Sequence, residues 1–154
     1  MVKSGQAKKR LHSGHHTQWA AQFAVASELC KRGYDVSLTM GNHPIIDLMV
    51  ISPKKHINFI IDVKGLHKPN PWLVRKKKKT HDNLFYVFAY VPKDEQNLFF
   101  ILTESQVNMG IREDWKQAIA NRKARGFGGE PVYLQAIKWK FAERYKDAWK
   151  SLPQ

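Results

Sequence analysis

The chain alternates between stretches whose apolar residues recur at helical spacing and short, nearly continuous apolar runs separated by turn-forming residues. Trp19, Phe23, Ala26 and Cys30 recur three or four positions apart, which predicts an amphipathic helix from about Thr17 to Arg32 with that stripe as its buried face. Gly33 follows, as the end of a helix favours a residue tolerant of positive φ. Tyr34 to Met40 reads as a strand and Gly41-Asn42-His43-Pro44 as a turn. Two apolar runs come next, Ile45 to Ile51 and Ile57 to Ile61, separated by the polar Ser52-Pro53-Lys54-Lys55-His56; that is the pattern of an antiparallel hairpin. Leu84–Val91 and Leu98–Thr103 predict two further core strands, Ile111–Arg125 a helix, and Tyr145, Ala148, Trp149 and Leu152 the buried side of a C-terminal helix. Residues 132–141 fit a strand or a helix equally well. The pattern predicts an α/β (α+β) fold, a central mixed sheet of four to five strands flanked by helices. It also divides the chain into a basic, flexible arm over residues 1–16 and a single domain over 17–154.

Two charged positions interrupt the apolar runs. Asp47 stands inside Ile45-Ile46-Asp47-Leu48-Met49, and Asp62-Val63-Lys64 closes the strand that begins at Ile57. A carboxylate among β-branched side chains costs about several kcal/mol unless a cation or hydrogen bonds compensate it. The hairpin supplies a geometric test. With Pro53 to His56 as the loop, Ser52 pairs with Ile57 and Asp47 falls opposite Asp62, where residues sharing a face have Cβ atoms about 4.5–5.5 Å apart. Alternation along the strand puts Lys64 beside Asp62, so one patch gathers two carboxylates and an ammonium. A slip of one residue would send Asp47 to the other face. A bound divalent cation explains such a pair; a structural ion pair with Lys64 is the plainer alternative.

Charge narrows the partner. The chain carries 26 Lys and Arg against 13 Asp and Glu, a formal net charge of +13. An excess of that size suits a polyanion, because neutralising phosphates releases condensed counterions. Nucleic acid fits better than a membrane surface, since no apolar stretch of about 18 residues and no clear basic amphipathic helix is present. Residues 1–16 are basic and lack the apolar core of a signal peptide. The single cysteine, Cys30, excludes an intramolecular disulfide and fits a reducing cytoplasm. Lys8, Lys9 and Arg10 in the arm and the run Arg75-Lys76-Lys77-Lys78-Lys79 are candidate phosphate contacts. A solvated loop is the alternative for the run. Trp72 is a candidate for stacking on a base or for capping the core, and His43 for approaching phosphate or for a purely structural turn. His12, His15 and His16 lack the accompanying ligands of a zinc site.

The order Gly41-Asn42-x-Pro44-x-x-Asp47-Leu48, then Asp62-Val63-Lys64, Trp72, Leu84-Phe85-Tyr86-Val87-Phe88 and Asp147-Ala148-Trp149 resembles the PD-(D/E)XK nuclease superfamily, and more narrowly a group of small prokaryotic members. The resemblance runs from about residue 17 to about residue 152. It implies a restriction-endonuclease-like core, Asp47 and Asp62 as metal ligands with the backbone carbonyl of Val63, Lys64 as the catalytic lysine, and Mg2+ as cofactor with Mn2+ able to substitute. Members commonly carry a glutamate on the first helix. In this chain Gln22 falls at that place, inside the helical arc between Ala26 and Leu29, whereas Glu28 points away. Glutamine brings no charge, which favours one metal over two. The implied activity is phosphodiester hydrolysis, with DNA as the leading substrate and a homodimer where both strands are cut. A nucleic-acid-binding module that keeps the fold without useful catalysis is the alternative, as is a structural partner within a nucleoprotein complex.

Overall fold

The computed structural model describes residues 14–39, 46–76 and 80–154. Helix α1 spans Gly14–Lys31, so residues 14–16 belong to a helix rather than to an arm. It ends as expected at Gly33, whose φ is +84°; the N–H groups of Gly33 and Tyr34 return to the carbonyls of Cys30 and Leu29. The expected buried face is wrong, however. Thr17, Ala21, Gln22, Val25 and Leu29 face the core, while Phe23 is 55 % exposed and Cys30 is exposed. The reason is a close approach. A Cβ at Gly65 would lie 2.6 Å from that of Ala21 and 3.0 Å from the carbonyl oxygen of Thr17, so only a face of small side chains fits against the sheet there. The bulky residues turn outwards, where Trp19 and Phe23 stack on each other at 5.4 Å.

Five strands form the main sheet in the order β1-β2-β3-β5-β6: β1 Asp35–Leu38, β2 Leu48–Ile51, β3 Asn58–Leu66, β5 Leu84–Tyr90 and β6 Leu98–Thr103. The sheet is mixed. β3 and β5 run parallel, and the other neighbours are antiparallel. The β2–β3 hairpin takes the register read from the sequence, Leu48 with Ile61 and Ile51 with Asn58, closed by Ser52 N–H on the Ile57 carbonyl at 3.0 Å. Central β5 is buried on both sides. Phe85, Val87 and Ala89 join the core under α1, and Leu84, Tyr86 and Phe88 join a second core under helix α2, Glu104–Ala124.

Parallel pairing of β3 with β5 requires a crossover, and residues 67–83 supply it. Within it β4, Trp72–Leu73, pairs with β7, Ala136–Ile137, as a two-stranded ribbon that the polar composition of this region hid. Helix α2 begins seven residues earlier than expected, at a capping box in which Thr103 Oγ1 accepts from the Gln106 N–H and Gln106 Oε1 accepts from the Thr103 N–H. The expected C-terminal helix is instead a four-residue helix α3, Trp139–Ala142, and two short 3-10 turns. The Asp147 N–H bonds the Phe99 carbonyl at 2.9 Å and Lys146 bridges to Phe100, so the edge of β6 captures this backbone, and Trp149 and Leu152 still reach the core.

Candidate functional site

The site grows from a mismatch in strand length. β3 continues to Leu66, but β2 begins only at Leu48, so beyond Ile61 one edge of β3 has no strand beside it among the described residues. Side chains finish the ladder. The Asp47 N–H bonds the Ile61 carbonyl at 3.0 Å, and Asp47 Oδ2 accepts the Val63 N–H at 2.7 Å. Gln18, on α1, then behaves like the next peptide: its Nε2 donates to the Val63 carbonyl at 2.8 Å and its Oε1 accepts from the Gly65 N–H at 3.4 Å. Gln22 donates to Asp47 Oδ1 at 2.6 Å, and Gln18 Nε2 lies 3.4 Å from Oδ2. The Asp47 carboxylate is thereby held at the edge of β3 against α1. Burial raises its pKa above the usual carboxylate value, and the Val63 N–H, the Lys64 ammonium and Gln22 oppose that rise.

Asp62 and Lys64 project together from β3, with Lys64 Nζ 2.6 Å from Asp62 Oδ1; the aspartate is buried and the lysine partly open to solvent. Lys64 therefore acts on both carboxylates. The pair borders a cavity of about 760 Å³ whose wall includes Tyr86, Arg75, Lys76 and Gln135. Burial pushes the Tyr86 phenol well above its ordinary range, and the negative charges of Asp62 and Glu104 push it further. The phenol thus stays protonated at neutral pH.

The structure brings Asp47, Asp62, Lys64, Gln22 and Val63 into one neighbourhood and sets Arg75 and Lys76 on the same cavity. Sequence reasoning missed Gln18, although it precedes Gln22 by one helical turn and so shares its face. Trp72 is a correction. It is 1 % exposed, packed against Phe88, Phe100 and Trp139 with its indole N–H towards the Ala89 carbonyl, so its role is in the core and not on a base. Lys8, Lys9, Arg10, His12, His43, Lys77, Lys78 and Lys79 lie outside the described residues. Among the described residues no group of three or more His, Cys, Asp or Glu gathers as a metal site. The oxygens of Asp47, Asp62 and the Val63 carbonyl are nonetheless a hard donor set of the kind Mg2+ takes, one or two carboxylates with waters and substrate completing the shell. A carboxylate has about four lone-pair positions, so the three donors on Asp47 leave it able to accept once more.

A mixed five-stranded sheet with α1 on one face and α2 on the other, and an acid-lysine pair on its longest strand, defines an α+β fold of a kind found among nucleases. Among solved structures the chain is similar to a bacterial homing endonuclease, I-Ssp6803I, at 19 % identity over 91 % of each chain, with a TM-score of 0.52. At that identity the likeness is one of fold. No protein-family model and no curated protein matches the chain.

Proposed function

We propose that this protein is a Mg2+-dependent nuclease of the PD-(D/E)XK kind, an endonuclease acting on DNA. The observation that carries the proposal is the Asp62–Lys64 pair, 2.6 Å apart on the wall of a cationic cavity beside a second carboxylate, Asp47. The net charge of +13 and the nuclease-like fold support it. Asp47, Asp62 and the Val63 carbonyl would hold the cation, with Mn2+ able to replace it. When bound, the cation supplies Lewis acidity, lowering the pKa of water and neutralising charge on phosphate. Lys64 Nζ holds the attacking water or a phosphate oxygen, while Arg75 and Lys76 take flanking phosphates. Such a site works by positioning and by electrostatic stabilisation, for which few groups suffice. Cutting both strands of a duplex calls for two copies. The exposed, unpaired Cys30 accords with a reducing cytoplasm.

A second reading has its own observation. Where an acid would strengthen a metal site, Gln22 presents an amide, and both Asp47 oxygens already accept from amide groups. That arrangement suits a module that binds nucleic acid without cutting it. Incubating supercoiled plasmid with Mg2+, Mn2+ or EDTA decides between the two. The nuclease reading expects nicking that needs the cation and falls at least about 100-fold in both Asp62→Asn and Lys64→Ala. Absence of cutting, with salt-sensitive binding retained by all three proteins, establishes the module.

A further inference from the structure

The ribbon of β4 and β7 does more than cover the core. Its register extends beyond the named strands, since the Val74 N–H bonds the Gln135 carbonyl at 3.1 Å and the Lys76 N–H bonds Gln135 Oε1 at 2.6 Å. Side chains alternate along it. Trp72, Val74 and Ile137 are buried on the inner side, whereas on the outer side Leu73 is 59 % and Leu134 70 % exposed, with the small Ala136 covered between them. Leu73 pairs with Ala136, so two residues further along the register Leu134 stands opposite Arg75, and the two leucines are diagonal neighbours on the outer side. Both leucines, Arg75 and Lys76 border the cavity that holds Asp62 and Lys64. Two large apolar side chains held in water on a hydrogen-bonded ribbon, flanked by two cations and next to a phosphodiesterase site, match the chemistry of one partner: stacked bases behind a phosphate backbone.

We infer that Leu73 and Leu134 form an apolar wedge that enters a base step beside the phosphate held by Arg75 and Lys76. The inference rests on the proposed nuclease reading for its choice of nucleic acid, and it deepens that reading by naming a substrate class. Apolar side chains inserted between base pairs unstack them and kink the duplex, at a cost that is smallest where the step is already loosened. The preferred substrate is therefore a duplex with a mismatch, a bulge or an unpaired stretch next to the cut, ahead of uniformly paired DNA. Flexible pyrimidine–purine steps come next in preference.

The test uses the full chain and short DNA duplexes carrying 2-aminopurine at successive positions, bound in EDTA so that no cleavage is needed. Wild type is expected to raise the fluorescence several-fold at one step and to bind a duplex with a central mismatch about tenfold more tightly than its paired counterpart. Leu73→Ser/Leu134→Ser, whose substitutions lie on exposed positions, should abolish both effects while keeping the circular dichroism spectrum and Tm of wild type. Equal fluorescence in the two proteins, or no rise at any position in wild type, overturns the wedge. So does a wild-type dimer that the serine variant dissociates, because the leucines would then serve a second copy. Plasmid nicking in Mg2+ is read separately. Cutting without a fluorescence rise leaves the nuclease reading standing and removes the wedge; a fluorescence rise without cutting does the reverse.

Discussion

At the scale of single residues, the site is a piece of β-sheet finished by side chains. Asp47 and Gln18 occupy the edge of β3 that β2 leaves open, so the backbone around Asp62 and Lys64 is fixed by groups from two other elements. Gln18→Ala removes the acceptor of the Gly65 N–H and the donor to the Val63 carbonyl. Leaving a partly buried backbone group unsatisfied costs about 1–3 kcal/mol. The expected outcome is faster amide hydrogen exchange at Gly65 together with lower nuclease activity, and unchanged exchange at Gly65 would show that Gln18 holds nothing there. Asp47 yields a pH prediction. Burial raises its pKa above 3.8, so the folded protein binds this proton more tightly than the unfolded chain does. Its contribution to stability is then greatest below the unfolded value and is lost as pH rises through the raised folded value. Asp47→Asn keeps one acceptor oxygen, and Gln22 can rotate its amide to suit it. The Tm of wild type minus that of Asp47→Asn should therefore fall as pH is raised from near 3.8, and a difference that does not vary with pH would remove burial as the dominant influence on this carboxylate.

The elements differ in how legible they were. β2, β3, β5 and β6 are apolar runs bounded by turn residues, and Ser52 to Ile57 set their hairpin, so strands, register and the Asp62-x-Lys64 spacing could all be read from the pattern. Helix α1 could be placed but not oriented. Periodicity ranks Trp19 and Phe23 above Ala21 and Val25, and only the contact with Gly65, distant in sequence, reverses that ranking. The same holds for β4: two residues directly after Pro69 and Pro71 give no periodicity, and their partner Ala136–Ile137 lies on the far side of α2 in sequence. Trp72 shows the consequence. As a loop residue it invites a functional reading; as the buried half of a ribbon strand, truncation to Ala should cost about 3–5 kcal/mol. Chemical denaturation would measure it, and a cost below about 1 kcal/mol would place the ring outside the core. The start of α2 was legible in principle from Thr103-Glu104-Ser105-Gln106. Because that box caps the helix carrying Glu104, Thr103→Ala should lower stability by about 0.5–2 kcal/mol.

For the whole molecule, the open question is where the excess of positive charge acts. A net charge of +13 attracts any polyanion, and by itself it predicts only that binding weakens with salt. The fold makes a sharper statement, because Arg75 and Lys76 share a cavity with the acid-lysine pair while Lys31 and Arg32, at the far end of α1, are tied to Glu28 at 2.8 and 2.5 Å. If phosphate is held at the cavity, removing cations there must change the number of counterions released, and removing cations at Glu28 must not. Each phosphate contact contributes about 0.9 to the slope of log K against log salt on duplex DNA. Arg75→Ala/Lys76→Ala should thus flatten the slope by about 2, whereas Lys31→Ala/Arg32→Ala should leave it unchanged within about 0.5. Titrating both double variants against one labelled duplex at several salt concentrations makes the comparison. Equal slopes in the two variants would mean that the charge acts as a diffuse field and that the backbone does not lie along the cavity.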